Sequence, residues 1–441
     1  MEYISELMIE GFEYTGRWWL PNKPDDAFWG RLKYTCRIGA TLELQGSFEN
    51  LRDRFNDTKP LIIIGTSSDG KDISLHNCSL FSGRRTSQGS ETCLYIADIV
   101  FIGTHFFNED AVRFVNMSIR YSYLDEWVDI PCFSSAHSRE GDLIVKYLKP
   151  DDICAEINNS SSIVVTQIVH TRFARIQKDP GIQTQWIVKI VTENEASLED
   201  YRAIIQHLQS FLCLAVREPV HVLGLEGENT FDMNDHASVK IFYKSPFIVQ
   251  PSELSLTLQP LFTYQDISAD FKVMLQNWFD KEDLLKPICD LYFRTLQNPY
   301  LYLENQFLSL VQAVEAFHRR VFKGRNSLRE RIGESLDKCG RIVPQLLGNR
   351  EYFIDKTIES RNYYTHYSKD LYERAARGQE LAKITRKLRV LLEVCLITQT
   401  GLDKKKSADL FSKIREVRED AFGSVRLKHK PIGKSSREEA N

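Results

Sequence analysis

The run Arg361-Asn362-Tyr363-Tyr364-Thr365-His366 holds the side chains in this chain best suited to act on a phosphodiester. Arginine stays charged and grips phosphate through a planar fork of donors. Histidine, with an unperturbed pKa of about 6.5, takes up or releases a proton near neutral pH. RNA carries its own nucleophile in the 2′-OH. A cleaving site therefore needs only a proton acceptor, a proton donor and positive charge on the phosphate as its charge develops, and these residue types supply all three without a metal. If the segment is helical, Asn362 and His366 lie on one face and Arg361 sits one step round at its edge.

Spacing alone does not distinguish such a site. Ten His in 441 residues make an accidental Arg-x4-His match expected, and Arg202-Ala-Ile-Ile-Gln-His207 is one. There Ala203 replaces the polar second residue, and the surrounding LEDYRAIIQHLQSFLCLAV reads as an ordinary amphipathic helix. Around the 361–366 motif, Tyr363, Tyr364 and Tyr367 have two readings, stacking on unpaired bases or filling a helical core. Upstream, Arg319, Arg320, Lys323, Arg325, Arg329 and Arg331 cluster with only Glu330 among them. That cluster is either a guide for an RNA backbone or a solvated helix junction. His318, near the apolar face of its helix, belongs to the cleft or to the core.

Other chemistries find less support. The segment Gly65-Thr-Ser-Ser-Asp-Gly70-Lys71 has the spacing of a phosphate loop, but Asp72 stands where Ser or Thr would hold magnesium. ISLHNCSL then alternates like a strand, so a hairpin turning at Asp69-Gly70 is expected instead. Trp18 and Trp19 in GRWWLP form either a sandwich core with an edge aromatic or a ligand surface. No His-Glu-x-x-His, cysteine pair or acidic cluster has ligand spacing, and neither metal nor cofactor is expected.

The elements that must position the motif follow from periodicity. From Met1 to Asp151, RLKYTCRI, ATLELQGS, LYIADIVFI and VRFVNMSIRYSYL alternate with a period near two, as in an antiparallel sandwich or barrel. Strands continue over 152–264, joined by the helical run at Tyr201, Ile204, Ile205, Leu208 and Leu212. After Tyr264 helices dominate: Phe307, Leu310, Val311, Val314, Phe317 and Val321 make one stripe, and Leu381, Ile384, Leu388, Leu391 and Cys395 another. Ser327 with Glu330 reads as a capping box, and Gly401 as a helix stop. The expectation is an α+β multidomain chain: a β-rich region over 1–151, a mixed α/β region over 152–264, an all-α bundle over 265–422 and a polar tail over 423–441. A composition 42% hydrophobic and 27% charged suits a soluble globular protein, and a net charge of −3 means that any polyanion must meet a local basic patch. The nine scattered cysteines, the absence of a leader-like start and the absence of a run of about 20 apolar residues suggest a cytosolic protein.

Arg-polar-x3-His on a helix of a C-terminal bundle resembles the HEPN ribonuclease motif. With QFLSLVQAVEAFHRRVF upstream and LRVLLEVCLI downstream, RNYYTHY is similar to the HEPN domain of ApeA-like anti-phage defence proteins. YTGRWWLP, ATLELQGSF, IIIGTSSDGKDISLHNC and YLDEWV resemble that family's β-rich N-terminal domain. The resemblance implies a homodimer in which two motifs face one composite cleft and cut RNA, with tRNA a common target, leaving a cyclic phosphate. By position, His366 would transfer protons, Arg361 would bind the scissile phosphate and Asn362 would orient the site. Glu315 matches a recurrent acidic position that would hold the Arg. Independently of the resemblance, Arg319, Arg320, Lys323 and Arg325 of the basic cluster, with Tyr363 as a stacking ring, are the expected RNA contacts. The family also implies abortive infection released by a phage component, with the N-terminal domains sensing or restraining. The rival expectation is an inert HEPN adaptor that binds RNA or nucleotide.

Overall fold

The alternating segments fold as antiparallel strands because one face of each can be buried while the other meets solvent or a second layer. The computed structural model describes residues 8–48, 60–85, 91–138, 140–172, 181–229, 237–245, 258–298, 301–324, 326–339, 342–343 and 349–414. Tail residues 423–441, Arg325 and Gly340 lie outside them. The chain divides into two units, Met1–Leu258 with Thr263–Asp280, and Gln259–Phe262 with Lys281–Asn441.

The first unit begins with β1 (Phe12–Leu20), β2 (Lys23–Thr35), β3 (Gly39–Leu44), β4 (Leu61–Ser67), β5 (Asp72–Arg85) and β6 (Glu91–Ile102). In the order β1-β2-β3-β6-β5-β4 these six pair antiparallel and close on themselves as a barrel, which leaves no open edge. Every second residue points inward: Leu32 and Tyr34, then Ala40, Leu42 and Leu44, then Cys93, Tyr95 and Ala97, all buried. Trp18 is fully buried among them, a core residue rather than a ligand surface. Its indole fits because Gly65 has no side chain; a Cβ there would lie 2.3 Å from Trp18 Cε3. The Gly65–Lys71 segment is a hairpin turn with Gly70 at φ +83°, and β5 follows it directly, so no phosphate loop forms. Lys71 Nζ donates to the Tyr14 hydroxyl at 2.7 Å.

β6 also joins the barrel to the rest of the sheet. Its Cys93–Ala97 half pairs with β3, and its Ile99–Ile102 half pairs on the same edge with β14. The remaining elements of this unit are β7 (Arg113–Tyr121), α1 (Leu124–Val128), the separate hairpin β8 (Phe133–His137) and β9 (Leu143–Tyr147), β10 (Ile153–Asn158), β11 (Ser161–Arg172), β12 (Gly181–Ser197), α2 (Leu198–Val216), β13 (Val222–Asn229), β14 (Ala237–Tyr243), α3 (Tyr264–Ile267) and α4 (Phe271–Asp280). Strand order β10-β11-β12-β7-β13-β14 continues into β6, so one twelve-stranded sheet runs through both strand-rich regions. Helix α2 starts at a Ser197/Asp200 capping box and lies on β12 and β7. Within it, His207 of the second Arg-x4-His match is buried, its Nε2 2.9 Å from the Trp278 carbonyl, while Trp278 Nε1 donates to the His207 carbonyl at 3.1 Å. That histidine is a packing element. Helix α4 buries Phe271, Met274, Leu275 and Trp278, and the first unit takes in Thr263–Asp280 with it.

The second unit is helical: α5 (Glu282–Gln297), α6 (Leu303–Phe317), α7 (Leu328–Lys338), α8 (Arg350–His366), α9 (Gly378–Gln399) and α10 (Lys404–Ser412). Phe307, Leu310, Val311, Val314 and Phe317 of α6 pack as one buried stripe, with α5 and α9 as its main neighbours. Ser327 and Glu330 form the capping box of α7, and α9 ends just before Gly401 at φ +82°. The chain is therefore α+β, a barrel-containing β-rich region followed by a helical one.

Candidate active site

Helix α8 carries the Arg-x4-His motif in its last turn. Its buried side is narrow and partly polar: Phe353, Thr357, Ser360 and Tyr364, at spacings of three and four, face the bundle. The two hydroxyl residues cost little there because Thr357 donates to the Phe353 carbonyl at 2.7 Å and Ser360 Oγ accepts from Ala376 N–H at 2.9 Å. The helix stops at His366, where Tyr367 turns left-handed (φ +50°) and its N–H returns to the Tyr363 carbonyl.

This termination leaves His366 exposed, with Arg361 and Asn362 half-buried beside it. Arg361 and His366 are five residues apart, about 140° around a helix. The guanidinium of Arg361 donates to Asn362 Oδ1 at 3.2 Å. Among the described residues Arg361 has no carboxylate partner, which leaves its charge available. An exposed imidazole and a guanidinium with no carboxylate partner among the described residues therefore both lie near the end of α8.

The other expected residues fall out differently. Glu315 accepts from Arg331 Nη1 at 2.8 Å, with both side chains largely buried, so it braces α6 against α7 and does not hold Arg361. Of the basic cluster, Arg329 pairs with Glu351 and Asp355, and Arg320 donates to the carbonyls of Asp283 and Leu284. Arg325 lies outside the described residues. Arg319 and Lys323 are exposed, displayed by a π-helical turn over His318–Phe322 that Lys323 closes at φ +57°. His318 is fully buried, with Nε2 2.7 Å from Glu334 Oε2, and belongs to the α6–α7 junction.

Tyr364 is core, its hydroxyl donating to the Ala376 carbonyl at 2.9 Å. Tyr363 is half-buried, ringed by Tyr367 (centroids 5.4 Å) and by Tyr372 (5.8 Å), and Tyr372 carries the Arg377 guanidinium 3.9 Å from its ring centre. Tyr372 and Arg377 escape sequence reasoning because residues 367–377 have no periodicity and depend on hydrogen bonds back to α8, and Ser360 escapes it because its role is to accept one of those bonds. Among the described residues, no group of three or more His, Cys, Asp or Glu is placed to hold a metal ion, and no helix is long and apolar enough to cross a membrane.

The helical region is of the HEPN class: the Apea-like HEPN family model matches residues 308–406, which include α8 and its motif. The model of ApeA N-terminal domain 1 matches residues 13–278, more than half of the chain, and the protein belongs to the ApeA family. No curated protein matches it.

Proposed function

We propose that this protein is a metal-independent HEPN-type endoribonuclease whose reacting groups are His366 and Arg361. The observation that carries the reading is the exposed His366 near an Arg361 that no carboxylate neutralises among the described residues, hydrogen-bonded to Asn362 near the end of α8. Removal of the 2′-OH proton by His366 lets the 2′ oxygen attack phosphorus. The bond from phosphorus to the 5′ oxygen breaks, the departing oxygen takes a proton, and a 2′,3′-cyclic phosphate and a 5′-OH result. Arg361 offsets charge that builds on the phosphate oxygens. One motif has one histidine, so a second copy of the chain facing the first supplies His366 as the general acid. Both copies then form one cleft.

The ApeA resemblance supports a role in abortive infection, in which a phage component releases the nuclease and host RNA, tRNA foremost, is cut. The β-rich unit is the part available to sense that component or to restrain the nuclease. The test is direct. Arg361→Ala and His366→Ala proteins should fold as the parent does and lose both RNA cleavage and growth toxicity. An inert adaptor would bind RNA or nucleotide equally well with or without these side chains and cut none, and full nuclease activity in either variant removes the site assignment.

A further inference from the structure

Beyond the motif itself, residues 367–377 fold back along α8 and are fastened at several points. Ala376 is held through both main-chain groups, by Ser360 and Tyr364, and Arg374 Nε donates to Glu359 Oε1 at 2.9 Å. Lys356 Nζ donates to the Arg374 carbonyl. A 3-10 turn over Lys369–Leu371 leads into Tyr372. These bonds hold a segment without regular structure in one place, and aromatic rings gather there. Tyr367 is 65% exposed and Tyr372 44% exposed, unusual for large rings in a well-anchored segment. Both lean edge-on against the half-buried Tyr363, with interplanar angles of 64° and 67°. With these contacts made, both rings keep the exposure just given, and the Arg377 guanidinium lies over one face of Tyr372.

We propose that Tyr367 and Tyr372, backed by Tyr363, form a platform on which an unpaired nucleobase stacks beside the scissile phosphate, so that the substrate class is single-stranded or loop RNA. The inference rests on the ribonuclease reading of Arg361 and His366. Tyr367 follows His366 directly, so a base on this platform lies next to the phosphate that the motif handles. A base inside a duplex has both faces covered by its neighbours, and a splayed base does not. Stacking is indifferent to base identity, since every base has a π-face, and Arg377 adds a cation beside the backbone. Tyr367 and Tyr372 are specificity-determining residues on this view and take no part in proton transfer.

The test uses full-length His366→Ala protein, which binds without cutting. Fluorescence anisotropy would compare a labelled single-stranded oligoribonucleotide with the duplex of the same sequence, before and after adding Tyr367→Leu or Tyr372→Leu. The expected result is preference for the single strand, lost binding of about 5- to 100-fold on either Leu change, and rescue by Tyr372→Phe. In the otherwise wild-type enzyme the same Leu changes should raise KM with kcat little altered. Both rings are exposed, so unchanged circular dichroism is expected. Equal binding of duplex and single strand overturns the platform, as does undiminished binding by the Leu variants. A Leu variant that changes the protein's mass in solution also overturns it, because the rings would then pack against another copy. Cleavage by wild type with no effect of the Leu changes removes the platform and leaves the nuclease standing. Stacking without cleavage of any RNA does the reverse.

Discussion

Near the end of α8, Asn362 Oδ1 accepts from the Arg361 guanidinium at 3.2 Å. A five-residue step leaves Arg361 and His366 about 140° apart around the axis, so the long Arg side chain must reach to share a phosphate with the imidazole. On the proposed function Asn362 is a positioning residue, acting through Arg361. Asn362→Ala should lower kcat/KM about tenfold, in line with a hydrogen bond to a charged group. Arg361→Ala and His366→Ala should each cost a factor of about 10² or more. Parallel kinetics on one RNA would show the gradation, and an Asn362→Ala enzyme as dead as His366→Ala would mean that the amide touches substrate. These three residues can be proposed from the sequence because their types, in the context of a helical bundle, restrict the chemistry. Glu315 is not, since its carboxylate was equally free to meet Arg331 or Arg361, and only the packing of α6 on α7 decides for Arg331.

Helices and strands were readable wherever burial imposes a single period. The α6 and α9 stripes, the Ser327 capping box and the alternating strands all follow from side-chain types. The choice between sandwich and barrel was not, because closure depends on β1 meeting β4 and on β6 changing partner midway along one edge, pairings that no local pattern reports. Nor was the π-helical turn at His318, or the polar buried stripe of α8, whose Thr357 and Ser360 look solvent-facing until their partners are known. The α7 end of the bundle has an acid-sensitive design. Hydrogen bonds from the main chain and hydroxyl of Ser327 hold the Glu330 carboxyl below its usual range, and Lys338, then His318, do the same for Glu334. A depressed folded-state pKa contributes stability that is complete above the unfolded value of about 4.3 and disappears as pH falls through the folded one. Helical circular dichroism melts should therefore give a steady midpoint from neutral pH to about 5.5 and a falling one below about 4.3. Ser327→Ala should lower stability by about 1 kcal/mol at neutral pH and reduce that acid sensitivity. A midpoint that rises on acidification would contradict the assignment.

For the whole molecule, the two units match two family models, one for the β-rich part and one for the helical part. On the proposed function, a near-neutral chain would meet RNA through local charge, for which Arg319, Lys323 and Arg361 are candidates. The proposal that two copies share one cleft has a quantitative consequence. Co-expressed equal amounts of wild type and His366→Ala should retain about one quarter of wild-type activity if both imidazoles of a pair are required, and about one half if each chain acts alone. Light scattering on the same sample would give the mass of the assembly.

The claim on which the account stands is that this chain cuts RNA by 2′-OH attack through His366 and Arg361. Incubating the purified full-length protein with total tRNA in EDTA and analysing the new termini tests it directly. The account predicts 2′,3′-cyclic phosphate and 5′-OH ends that vanish with His366→Ala. Ends bearing 5′-phosphate, or the same products from the His366→Ala protein, would contradict it.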